Sequence, residues 1–88
     1  MPTLSMFYGI IIRMYVEEGG KHNIPHIHTQ YQDNKAVFGF DGNIIEGNFP
    51  NKQRKLVEAW IEIHKDELEA NWITLNDDGT YFKISPLV

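Results

Sequence analysis

The chain has 88 residues, of which 42% are apolar and none is cysteine; that accommodates one compact domain, residues 1–88, and excludes disulfides, thiolate chemistry and cysteine-based zinc knuckles. Twelve acidic against eight basic residues give a formal charge of −4, which excludes a generalised nucleic-acid-binding surface and confines any such role to a local patch. The start, Met1-Pro2-Thr3-Leu4-Ser5, carries no basic segment, and the apolar run Ile10-Ile11-Ile12 stops at Arg13, so the reading predicts no signal peptide, no membrane span and, with cysteine absent, a cytoplasmic protein.

Phe7 to Val16 (FYGIIIRMYV) is rich in β-branched and aromatic residues and reads as the first strand. One face, Tyr8, Ile10, Ile12, Met14 and Val16, is wholly apolar. The other carries Phe7, Gly9, Ile11, Arg13 and Tyr15, as expected of a strand covered on both sides. Arg13 is the exception, and a semi-buried guanidinium needs a carboxylate, for which Glu17, Asp41 and Glu46 are candidates. An ordinary solvent-facing strand residue is the simpler reading.

Glu17 to Pro25 is a loop by composition. Strands are expected at His26 to Gln32, at Lys35 to Phe40 and at Asn43 to Gly47, turning at Asp33-Asn34 and at Asp41-Gly42. Two-residue loops fix register. They pair Ile27 with Phe40, Thr29 with Phe38 and Tyr31 with Ala36 on an apolar face. The alternate set pairs His26 with Asp41, His28 with Gly39 and Gln30 with Val37, joined by Ile44 and Glu46, and a bulge in either loop would exchange the faces.

From Pro50 the period becomes helical, with Leu56, Ala59, Trp60 and Ile63 on one stripe flanked by Val57 and His64. Continued without a break, that helix would bury Glu67. Two helices are therefore predicted, roughly 50–64 and 67–75, with a kink at Lys65-Asp66 and Asp66-x-x-Glu69 as a capping box. Thr80 to Ile84 reads as a last strand returning to the sheet. The expected fold is α+β, a four- to five-stranded antiparallel meander with a kinked C-terminal helical segment packed on one face, where Trp60, Leu56 and Ile63 sit on Phe38, Phe40 and Ile45.

His22-x-x-x-His26-x-His28 is the cluster with chemical potential. His26 and His28 share a strand face at a spacing that lets two imidazoles meet one divalent ion, with His22 from the loop and Asp41 as a fourth ligand or as a tautomer-fixing carboxylate. The same histidines beside Arg13 supply a base, an acid and a phosphate stabiliser, the minimum for metal-free cleavage of RNA through its 2′-hydroxyl, with Tyr15 and Tyr31 as stacking platforms or core. The third reading is a surface strand of solvated histidines. Lys52, Arg54 and Lys55 form a basic cluster at a helix start, where they oppose the macrodipole, and so become candidates for contact with phosphate or an acidic partner; a solvated first turn is the simpler reading. His64 fits a helix C-terminus stabiliser.

Set in order, Pro2-Thr3, Phe7-x-Gly9-Ile10, Met14-Tyr15, Pro25-His26-Ile27-His28, Gly47-x-Phe49-Pro50, Leu56-Val57 with Trp60, and His64-x-x-Glu67-Leu68 with Asn71-Trp72 resemble the prokaryotic family catalogued as domain of unknown function 4160. Its Asn-Pro-Pro-His stands here as Asn23-Ile24-Pro25-His26. Members of that family tend to be encoded beside a second short protein, an arrangement similar to a toxin–antitoxin module. The resemblance thus implies a toxin component acting on RNA or translation and held by a small antitoxin-like partner. The alternative is a non-catalytic protein-binding or metal-binding module with structural histidines. A domain of this size buries only about 60–65% of its unfolded surface, so a homodimer is a further expectation.

Overall fold

The computed structural model describes residues 2–15 and 24–88. Five antiparallel strands, β1 (Thr3–Phe7), β2 (Ile10–Arg13), β3 (His26–Tyr31), β4 (Asn34–Gly39) and β5 (Ile44–Gly47), form a meander in sequence order. Two helices follow, α1 (Asn51–Ile63) and α2 (Lys65–Asp77). The α+β class and the meander agree with the sequence reading, while several details differ.

The expected first strand is a hairpin. Tyr8 and Gly9 both have positive φ, 49° and 79°, and join Phe7 to its partner Ile10. Left-handed residues at both turn positions match the twist of the flanking strands, but tyrosine there is an unfamiliar signal. The fifth strand therefore comes from the N-terminus. Residues 80–84 form no strand: Ile84 donates one backbone bond to Leu4 O (2.8 Å), and the segment is otherwise tied to the helices.

The β3–β4 turn lies at Gln32-Asp33, with Gln32 at φ 53°, so Ile27 pairs with Phe38, Thr29 with Ala36 and His26 with Gly39. The register is displaced by two residues from that expected, which preserves which side chains share a face. β5 behaves differently. Val37 pairs with Glu46 but Phe38 with Ile44, leaving Ile45 as an extra residue. This bulge turns Ile44 toward the core and leaves Glu46 outside, where the sequence reading had both on the polar face. Ile45, expected under the helices, is 36% exposed.

Ile10, Ile12, Met14, Ile27 and Phe38 share the helix-covered side with Val57, Trp60, Ile61 and Leu68. The helical stripe is thus rotated from the expected one: Val57 and Ile61 are buried, whereas Ile63 is 64% exposed and Ala59 is exposed. The break falls at His64, φ −109° and ψ 23°. Leu68 N–H still donates to His64 O (2.9 Å), so the junction is a kink in a nearly continuous hydrogen-bonded helix. Asp66 makes no cap bond. Instead His64 Nδ1 meets Glu67 Oε1 at 2.6 Å, and its ring leans on Trp60.

Candidate functional site on the outer sheet face

Both helices pack on one side, and the pairing registers align a row across the other: Arg13 on β2, His28 on β3, Val37 on β4 and Glu46 on β5. Gln30 and Lys35 form the next row. These residues, with Tyr15 just past β2, line a cleft of about 380 Å³. Strand alternation is what gathers them, because β2, β3 and β4 spend their opposite parity on the core.

Arg13 Nη1 donates to Gln30 Oε1 (3.2 Å). Among the described residues neither Arg13 nor Lys35 has a carboxylate within ion-pair distance, so both cations face the cleft without a direct ion pair, with Glu46 as the carboxylate that also lines it. Tyr15 stacks on His28, ring centroids 4.1 Å apart and 16° from parallel, with its hydroxyl 3.0 Å from His28 Nδ1. The ring packs against one face of the imidazole and limits the directions from which His28 is reached.

His26 shares the outer parity but is 1% exposed. Its ring meets His28 edge-on at 5.1 Å and Trp72 of α2 at 5.2 Å, while Trp72 also abuts Phe40. Its Nδ1 lies 2.8 Å from Ile24 O; since a carbonyl only accepts, Nδ1 carries the hydrogen. The two imidazoles are therefore neighbours with different environments, one lining the cleft and one enclosed by the second helix.

Asp41 does not stand opposite His26; Gly39 does. In the β4–β5 loop the Asp41 carboxylate accepts from Asn43 N–H (3.0 Å) and Nδ2 (3.1 Å). The backbone N–H of Asn43 is the main reason its pKa lies below the ordinary value of 3.8. Among the described residues no three His, Cys, Asp or Glu side chains group to hold a metal; His22, one of the expected ligands, lies outside them. Lys52, Arg54 and Lys55 do not form one patch. Arg54 is engaged by Glu58 and by Asn51 Oδ1, Lys55 borders a groove with Asp41 and Glu62, and Lys52 lines a separate cleft beside Tyr8.

Sequence reasoning missed Lys35 as a site residue, although its parity with Val37 placed it on this face. It also missed Trp72, whose approach to His26 depends on the helical kink and has no local signal.

A five-stranded antiparallel meander covered on one side by a kinked helix, with an open face of mixed polar side chains, defines the class: a small α+β domain with a sheet-borne site. The chain belongs to the family described as domain of unknown function (DUF4160), whose model matches residues 9–73. No curated protein and no solved structure matches it.

Proposed function

We propose that this protein is the growth-inhibiting member of a two-gene pair and acts on single-stranded RNA through the outer-face cleft. The observation that carries this reading is the convergence of two cations without carboxylate partners among the described residues, Arg13 and Lys35, on a cleft that also presents His28 stacked on Tyr15. Phosphate oxygens suit Arg13 and Lys35. An exposed polar sheet face leaves room for splayed bases. His28 supplies the imidazole: its Nδ1, 3.0 Å from the Tyr15 hydroxyl, takes the 2′-hydroxyl proton once the RNA hydroxyl displaces that contact, while the 2′-oxygen attacks phosphorus and the departing 5′-oxygen is protonated by water. His26, enclosed by Trp72, positions His28 and does not meet RNA.

The test is expression of the chain alone and with the neighbouring short protein. Growth arrest that is relieved by co-expression, together with RNA fragments ending in 2′,3′-cyclic phosphate, is expected; His28→Ala should abolish fragmentation and keep binding. Normal growth and intact RNA at high levels of folded protein would contradict the proposal. The second reading, a non-catalytic protein-binding module with structural histidines, is favoured by the burial of His26 and predicts that His28→Ala changes no activity.

A further inference from the structure

On the helix-covered side of the sheet, away from the Arg13–Lys35 cleft, a second cleft of about 460 Å³ opens between the β1–β2 turn and the first turns of α1. Tyr8, Tyr31, Leu56 and Leu87 form its walls and Lys52 stands at its rim. Tyr8 is held at φ 49° and left 60% exposed. A bulky side chain is disfavoured in that conformation, and Asn or Gly would satisfy the turn. The turn therefore presents an aromatic ring, edge-on to Phe7 at 6.5 Å and otherwise turned to solvent, at a backbone cost. Lys52 has no carboxylate within ion-pair distance among the described residues, and the first turn of α1 contains no acidic residue.

We infer that this cleft docks an acidic peptide segment of a partner protein, seating one aliphatic or aromatic side chain between Tyr8, Tyr31, Leu56 and Leu87 and placing an adjacent carboxylate on Lys52. Aromatic and leucine walls around a single cation suit an apolar anchor flanked by one negative charge. A polyphosphate would require several cations, and Lys52 is the one Lys or Arg among the residues lining the cleft, while Arg54 on the same helix is engaged by Glu58. The inference is independent of the RNA reading, since the two clefts lie on opposite sides of the sheet.

The test is nuclear magnetic resonance titration of the full ¹⁵N-labelled chain with acetyl-Asp-Leu-Phe-Glu-amide and, separately, with acetyl-Lys-Leu-Phe-Lys-amide. Saturable shifts at the amides of Tyr8, Gly9, Tyr31, Lys52 and Gln53 are expected with the acidic peptide, at least tenfold weaker with the basic one. Lys52→Glu should weaken the acidic peptide at least tenfold. Tyr8→Asn, which keeps the left-handed turn and removes the ring, should do the same. Absence of saturable shifts at these amides, equal response to both peptides, shifts at Arg13, His28 and Lys35 instead, or binding unchanged in both variants would overturn the inference.

Discussion

Asn71 is a buried polar side chain on α2 with no exposed surface, and its amide is fully used: Nδ2 donates to Phe82 O (3.0 Å) and Oδ1 accepts from Phe82 N–H (2.8 Å). It substitutes for a strand partner, holding the segment after α2 where Trp60 Nε1 also reaches Ser85 O (2.9 Å). Replacing it with alanine removes both hydrogen bonds that hold the Phe82 backbone to α2. Asn71→Ala should lower stability by about 1–3 kcal/mol, measured by denaturant melting, because two hydrogen bonds of ~0.5–1.5 kcal/mol each are lost. Loss within a few tenths of a kcal/mol would mean that the segment is not held through this residue. Among the histidines, His28 and His26 differ in what covers them, so His26→Phe, which keeps a ring against Trp72, should preserve folding. His26→Asp should not, as it places a carboxylate at a position that is 1% exposed and packed against Trp72.

The β4–β5 hairpin links fold to site. Gly47 has φ 88°, and a Cβ there would stand 2.3 Å from Lys35 O. The bulge at Ile45 requires this close approach, and the same carbonyl receives Asn48 N–H (3.1 Å). Gly47→Ala should cost at least ~2 kcal/mol through strain and clash, and it should weaken RNA binding by displacing Lys35; a stable variant with unaltered binding would contradict the hairpin account. Most elements were readable from sequence: alternation marked β2 to β5, the period change at Pro50 marked α1, and the unfavourable burial of Glu67 marked the kink, whereas β1 was not read and residues 80–84 were read as a strand that does not form. Turn positions were less readable, because Tyr8 and Gln32 take left-handed conformations that glycine or asparagine normally announces. The shared outer-face placement of Arg13 and His28 was legible because strand parity is local. The enclosure of His26 was not, since it depends on a tryptophan brought from α2 by tertiary packing. Nor was the dispersal of Lys52, Arg54 and Lys55, which depends on which face of α1 the core selects.

At the scale of the molecule, an acidic chain places Arg13 and Lys35 on one sheet cleft, where among the described residues neither is in an ion pair, so net charge is a poor guide to local potential. No described helix is long and apolar enough to cross a membrane. The acid limb of stability follows from two turns. The Asn43 N–H and side-chain amide lower the Asp41 pKa, and the Thr80 hydroxyl, then its N–H, lower that of Asp78. A carboxyl whose folded pKa lies below its unfolded value stabilises above the unfolded pKa and loses that contribution as pH falls through the folded one. Thermal melts of wild type and of Asp41→Asn with Asp78→Asn should therefore run parallel from about pH 7 to 5, and wild type should lose more melting temperature between about pH 4 and 2; identical acid limbs would contradict this assignment.

Fluorescence anisotropy of a labelled single-stranded RNA, followed across a salt series, addresses the outer-face cleft most directly. Wild type should bind with an affinity that falls as salt rises. Arg13→Ala with Lys35→Ala should reduce the slope of log affinity against log salt by about 1.4, the counterions of roughly two phosphates on a single strand, at unchanged melting temperature. Equal slopes for the folded double variant and wild type, or no binding by wild type at low salt, would contradict the account.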